Sequence, residues 1–269
     1  MTLQLQERLR PLALVTGGSS GIGFELAKQL IVSGYDLVIV GHNNAKVVRA
    51  AAELSAMDEA PHVEAITIDL STVEGVRALY DGVKKLGRPI DVLAANAGIG
   101  VRGDFARETD LERELELIQL NVMSPVYLTK LVLKDMVARG EGKVLITSSL
   151  ASMTPGPYYA VYAASKAFLR SFGQAIRAEL EDTNITVTVL MPGPTDTEFF
   201  KRAAMLETKA GQGPKQTAAE VALAAVRALE DGDDSVIPGI LNKLQAGMNK
   251  LIPDKAGAKL QSAQTKPRH

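Results

Sequence analysis

The chain has 269 residues, with 30 basic side chains against 31 acidic ones and a formal net charge of −1, a balance that argues against nucleic acid as the main partner. There is no cysteine, which excludes disulfides, iron–sulfur ligation and thiolate chemistry. No apolar run reaches about 18 residues, so no membrane span is expected; Met1–Arg10 carries charges without an apolar stretch and reads as no secretory signal, and a cytoplasmic protein is the expectation.

In chain order, Leu12–Val15 reads as a short apolar strand that runs into Thr16-Gly-Gly-Ser-Ser-Gly-Ile-Gly23. A helix over about 22–33 follows, ended by Gly34. Strands are predicted over 36–40, 62–68 and 91–94, with helices over 45–57 and 72–86 between them. Such β-α alternation with short links predicts a doubly wound parallel sheet of the Rossmann type, α/β in class, with about seven strands and helices on both faces. The strands are apolar almost throughout, as expected when both faces are covered.

The stretch 110–138 reads as one long helix, with Leu111, Leu115, Ile118, Val122, Tyr127 and Leu131 tracing a drifting apolar face. A fifth strand is predicted over 143–148, a long helix over 158–181 and a sixth strand over 185–190, stopped by Pro192-Gly193-Pro194. About 195–215 reads as an irregular, mobile substrate loop. Thr217 and Glu220 form a capping box for a helix over 217–231, and 235–238 is a last short strand. The C-terminal segment, about 240–265, is expected to carry a short helix with Leu241, Leu244, Met248 and Leu251 on one stripe. From Asp254 onward the polar sequence is expected to fray. Residues 1–269 read as a single domain.

A strand, a glycine-rich turn and a helix N-terminus together make an anion site, because free N–H groups and the helix dipole favour phosphate. The spacing Gly17-x-x-x-Gly21-x-Gly23 differs from the GxGxxG dinucleotide fingerprint and lacks the Lys-Ser/Thr ending of a P-loop. An acid closing the second strand would bind the 2′-hydroxyl of NAD. Here that strand ends Val40-Gly41-His42-Asn43-Asn44, without an acid and without arginine. This favours NADP(H) over NAD(H), with His42 or Lys46 placed to meet a 2′-phosphate.

Tyr162 and Lys166 stand four residues apart, on one face of a predicted helix. A nearby cation favours a phenolate, so the pair can serve proton transfer in carbonyl and alcohol chemistry. A serine-hydrolase reading fails on partners: His42 and His62 lie in early segments, His269 is terminal, and no GxSxG elbow surrounds a serine. No metal site is expected, for want of cysteine and clustered histidine.

In this combination the chain resembles the short-chain dehydrogenase/reductase family. The TGxxxGxG turn is Thr16 to Gly23; Asp69 followed by Leu70 matches the adenine-contact position; Asn96-Ala97-Gly98 matches the NNAG motif, with Ala95 in place of its first asparagine. Asn121, Ser149, Tyr162 and Lys166 match the family's catalytic set, and Pro192-Gly193 its PG motif. The resemblance implies a nicotinamide cofactor held by Gly17, Ser19, Ser20, Gly21, Ile22, Gly23, His42, Asn43, Asp69, Leu70, Asn96, Ala97, Gly98, Pro192, Gly193, Thr195 and Thr197, together with Tyr162 and Lys166. It implies hydride transfer between a carbonyl compound and a secondary alcohol. Tyr162 would be the proton donor, Ser149 the stabiliser of the oxygen, and Lys166 the group that lowers the tyrosine pKa. Asn121 would support a water chain.

Loops over 99–105, 150–159 and 196–206 should frame the substrate, and their apolar share suggests a hydrophobic ketone or alcohol. The resemblance further implies that the long helices over 110–138 and 158–181 form a subunit interface, and so a homodimer or homotetramer. Two rivals share the fold: a non-catalytic NAD(P)-binding regulator, and a dehydratase or epimerase.

Overall fold

Apolar runs between short links form strands that are buried at the centre of the sheet and half-buried at its Val63–Thr67 edge. β1 (Leu12–Thr16), β2 (Asp36–Gly41), β3 (Val63–Thr67), β4 (Val92–Ala95), β5 (Glu141–Thr147) and β6 (Asn184–Leu190) pair in parallel in a computed structural model. That structure describes residues 10–203, 205, 207–249 and 252–266. Met1–Leu9, Leu206, Leu251 and His269, each part of a sequence expectation above, lie outside the described residues. β7 (Thr195–Asp196) and β8 (Gln216–Thr217) pair only with each other, while β9 (Ser235–Val236) extends the main sheet. The sheet has seven strands in the order β3-β2-β1-β4-β5-β6-β9. The order reverses between β1 and β4, and in such sheets the crevice beyond the strand C-termini at that point is where ligands bind.

Helices α1 (Gly21–Val32), α2 (Asn44–Ser55) and α3 (Val73–Lys84) follow the first three strands. Their starts are set locally: Asn43 caps α2 through Lys46 N, and Thr72 caps α3 through Gly75 N. Gly34, at φ +92°, ends α1 in the left-handed conformation that suits glycine. α4 (Leu111–Ile118), α5 (Ser124–Arg139) and α6 (Ala160–Glu179) come next, followed by the short α7 (Phe199–Arg202) and α8 (Lys209–Gln212). α9 (Ala218–Glu230) begins in the expected Thr217–Glu220 capping box. α10 (Ile240–Asn249) and α11 (Asp254–Thr265) complete the described chain. Side chains of α1, α2 and α9 pack on one face of the sheet, and those of α3, α5 and α6 on the other.

Three expectations are corrected. The long helix over 110–138 is broken by a π turn at Gln119–Met123, whose extra residue rotates the two halves against each other. Before the π turn its apolar face points outward, with Leu111 63% exposed and Leu115 45%, while Glu114 and Leu117 are buried; after it Tyr127 packs against the core. The sequence from Asp254 does not fray but forms α11, held by tertiary hydrogen bonds that its composition does not announce. The region 195–215 is also more ordered than expected, with β7, α7 and α8 inside it.

Candidate active site

The site is built at the C-terminal ends of β1, β4 and β5. β1 closes on Thr16, whose hydroxyl accepts hydrogen bonds from Asn96 N (2.9 Å) and Ala97 N (3.1 Å). Asn96 replies through its amide, donating to Thr16 O at 3.2 Å and accepting from the Thr147 hydroxyl at 3.2 Å. Three strand ends are thereby fastened side by side. Gly17 and Gly21 sit at φ +68° and +57°, and a Cβ on Gly23 would lie 2.2 Å from Gly17 O. Only glycine fits that turn. Ser20, the N-cap of α1, makes no side-chain cap bond, so no side chain closes the helix N-terminus against an anion.

On the catalytic side, α6 carries Tyr162 and Lys166 on one face, and the Lys166 nitrogen lies 5.8 Å from the Tyr162 ring centroid. Ser149 lies beside the Tyr162 hydroxyl, where it favours the phenolate. Ser149 caps a short 3₁₀ turn, Leu150–Met153, its oxygen accepting from Ala151 N at 3.1 Å. Its own hydroxyl proton therefore remains to be donated elsewhere. Neighbouring Ser148 points away, donating to Lys166 O at 2.7 Å, a structural bond as its place in the strand implies. Asn121, fully buried in the π turn, accepts from Ile99 N (2.9 Å) and donates to Ile99 O (2.9 Å) and the Ser165 hydroxyl (3.2 Å). It clamps the loop after β4. A Cβ at Gly98 would stand 3.0 Å from its oxygen and 3.4 Å from the Lys166 nitrogen.

The electrostatics differ from the sequence expectation in one respect. Burial pushes the Tyr162 phenol up to about 12, with neighbouring Ser149 opposing. Lys166 is itself pushed down to about 8 by burial, and its nitrogen donates to Thr147 O at 3.0 Å. One of its three N–H groups is thus engaged by a backbone carbonyl.

The remaining predicted residues spread from this centre to the far end of the crevice. Ser19 packs against the end of β2, its hydroxyl 2.9 Å from where a Gly41 Cβ would be. Asp69 accepts from Ser71 N (2.8 Å) and the Ser71 hydroxyl (2.7 Å), which hold its carboxyl below its ordinary range, with exposed His42 adding a smaller attraction. The Asn43 side chain is engaged in capping α2, and the side chains of Leu70 and Ile22 point into or against the core. Pro192 O accepts from Leu150 N at 2.9 Å, and Thr195 bonds back to Gly193 O at 3.0 Å. Thr197 lies over Gly21, its methyl 3.2 Å from where that residue's Cβ would be.

Sequence reasoning missed several residues. Thr16 and Thr147 fasten the strand ends, and Asn242 of α10 packs against Gly193 while bonding Gln216 and Pro238 O, both at 2.8 Å. Of the apolar loop residues, Phe200 and Met205 are buried as anchors of their own segment. Phe105 is exposed beside α4 and α6. Phe199 and Tyr159 flank the catalytic tyrosine, with ring centroids 5.3 Å and 6.1 Å from it.

Residues 11–207 match the family model described as short chain dehydrogenase. The chain belongs to the short-chain dehydrogenase/reductase family. Among its relatives is the mouse dehydrogenase/reductase SDR family member 7B, 32% identical over 219 residues that cover 78% of this chain and 67% of that protein. A short-chain dehydrogenase from Sphingobium yanoikuyae, solved in complex with NADPH, superposes with a TM-score of 0.78 at 28% identity, covering 90% of this chain and 96% of the other. A 3-ketoacyl-(acyl-carrier-protein) reductase from Brucella melitensis, complexed with NADH, gives 0.73 at 26% identity, covering 85% and 97%. As a short-chain dehydrogenase/reductase the chain has an oxidoreductase fold. No described helix is long and apolar enough to cross a membrane, and no metal-binding cluster occurs among the described residues.

Proposed function

We propose that the protein is an NADP(H)-linked oxidoreductase that interconverts a hydrophobic ketone and its secondary alcohol. One observation carries this reading: Ser149 beside the Tyr162 hydroxyl and buried Lys166, on the same sheet edge as a turn whose Gly17, Gly21 and Gly23 leave no room for a side chain. A pure sensor or regulator has no need of that acid–base set. The turn fits a dinucleotide, because Gly17 and Gly21 adopt left-handed conformations and the α1 N-terminus faces it without a side-chain cap. Related structures contain NADPH or NADH. The absence of an acid at the end of β2, with His42 and Lys46 nearby, favours the 2′-phosphorylated form.

When bound, the nicotinamide supplies hydride to the carbonyl carbon or accepts it from the alcohol. The chain's own residues manage the oxygen and its proton. Tyr162, protonated throughout the neutral range, gives its proton to the carbonyl oxygen as negative charge develops. Ser149 donates a hydrogen bond to that oxygen. Lys166 holds the ribose hydroxyls, while Asn121 fixes the loop at Ile99 against which Lys166 packs. Ser19, Ser20, Asp69, Asn96 and Thr197 complete the cofactor contacts. Leu150, Met153, Tyr159 and Phe199 give the substrate side its apolar character. The exposed Leu111, Leu115, Ile118 and Phe168 supply a face for a second copy of the chain.

The test is cofactor turnover with a panel of ketones, run in parallel with NADPH and NADH. Faster turnover with NADPH is expected, and an NADH preference would count against the 2′-phosphate argument. Tyr162→Phe should lower kcat by about 10²–10⁴-fold with the fold intact. A variant that keeps full activity would remove the proposed mechanism. Cofactor binding without turnover on any carbonyl would favour the regulator.

A further inference from the structure

The segment Thr197–Phe199 touches both ends of the crevice. Thr197 lies on Gly21 of the phosphate turn. Phe199 reaches the catalytic end: its ring is 5.3 Å from the Tyr162 ring, and its tip would stand 2.7 Å from a Cβ on Gly100. Between them, Glu198 turns to the adenosine end, its carboxylate 2.6 Å from the Lys46 nitrogen. That ion pair joins residues 152 positions apart. Lys46 is also one of the two side chains argued above to meet a 2′-phosphate. Glu198 and the phosphate are therefore rivals for one ammonium.

We propose that Thr197–Phe199 is a strap across the cofactor trough, latched by Lys46–Glu198, and that a ligand bearing an adenosine 2′-phosphate releases it by drawing Lys46 away from Glu198. The inference rests on the NADP(H) reading above and adds a consequence to it. The side chains of Lys46 and Glu198 are 35% and 55% exposed, so water already screens the pair and holds it weakly. A phosphate dianion beside Lys46 outcompetes a single carboxylate and repels it as well. A 2′-hydroxyl is neutral and does neither. Release frees Phe199 from the ring of Tyr162 and opens the place where a carbonyl must sit. Glu198 thus makes the substrate side answer to the 2′ position of the cofactor, which turns binding selectivity into a gate.

The chain contains no tryptophan, so Phe199→Trp introduces a single indole at the strap. Adenosine 2′,5′-bisphosphate and AMP serve as probes, since they differ in the 2′-phosphate and neither carries a nicotinamide. Titration calorimetry follows binding, while acrylamide quenching and the emission maximum follow the indole. The bisphosphate is expected to bind more tightly than AMP, to raise quenching and to shift emission to the red. AMP at saturation should leave both unchanged. Glu198→Gln in the Phe199→Trp background alters an exposed side chain and should give the released signal without ligand. Tighter binding of the bisphosphate with no change at the indole overturns the strap and leaves the NADP(H) reading standing. Equal binding of the two nucleotides overturns the NADP(H) reading and the release with it. A ligand-free Glu198→Gln protein with the original signal overturns the latch.

Discussion

The turn at residues 16–23 and the segment at 195–205 face each other across the same crevice but are built on opposite terms. In the turn, each position is constrained more than once. Thr16 receives two backbone N–H groups, Asn96 is bonded on both sides, and Gly23 lies against a carbonyl that leaves no room for a methyl. The segment opposite is fastened by the two-residue pairing of β7 with β8, by the small buried cluster of Phe200, Ala203 and Met205 and, at its edge, by the water-exposed pairs of Glu198 with Lys46 and Arg202. The difference separates two tasks. Hydride and proton transfer need atoms held in one place, so they rest on strand ends and a helix. Admission of ligands needs movement, which comes from a segment with few ties.

The largest effect should come from adding one carbon to the turn. Gly23→Ala sets a Cβ against the backbone oxygen of Gly17, and no side-chain rotation relieves the clash. A loss of about 3 kcal/mol in a urea melt is expected, together with loss of dinucleotide binding in calorimetry. By contrast Lys201→Ala, on the exposed part of α7, should change stability by less than about 0.5 kcal/mol. If the two variants melted alike, the contrast between the regions would collapse.

A pH experiment sharpens the same contrast at the catalytic end. Burial lowers the Lys166 pKa from 10.5 to about 8 in the folded chain. Between those values the unfolded chain holds the proton and the folded chain has released it, so stability from this group rises with pH across that window. Below it the folded protein carries a desolvated charge. Lys166→Met removes the titration. The stability of the unmodified protein relative to the variant should therefore rise by on the order of 2 kcal/mol between about pH 7 and about pH 10. Parallel curves would mean that the ammonium is better solvated than its surroundings suggest.

How much of this is legible in the sequence depends on the range of the interactions. The sheet is readable because the strands covered on both faces are apolar over most of their length, and because caps such as Thr217 with Glu220 act within one turn. The catalytic set is readable because Tyr162 and Lys166 share a helix face and Ser149 closes a strand. The π turn left only an indirect trace, in the drift of apolar positions from Leu111 to Tyr127. Before the turn that face is turned outward, at Leu111 and Leu115. Burial of the Tyr162 phenol, which pushes its pKa up, is not legible in the spacing to Lys166, because spacing reports proximity and not burial. The Lys46–Glu198 pair has no local signature at all.

α11 shows the same limit and gives the smallest expected effect. Its sequence is polar and its helix is short, so intrinsic propensity alone would not hold it in place. Tertiary bonds supply the difference. The Thr265 hydroxyl lies 2.9 Å from Pro157 O, Arg102 donates to Thr265 O at 3.1 Å, and the Gln261 amide donates to the Tyr159 hydroxyl. Each of these partners stands on a loop beside the catalytic helix, so α11 joins the two loops that frame the substrate. Thr265→Val removes one hydroxyl bond and should cost about 1 kcal/mol, confined to this corner. Amide exchange should quicken in α11 and at Gly103, whose N–H is bonded to Tyr158 O, while the strands stay protected. If KM for a bulky ketone moves and kcat does not, α11 acts on the substrate entrance. A fall in kcat alone would instead tie this helix to the alignment of Tyr162.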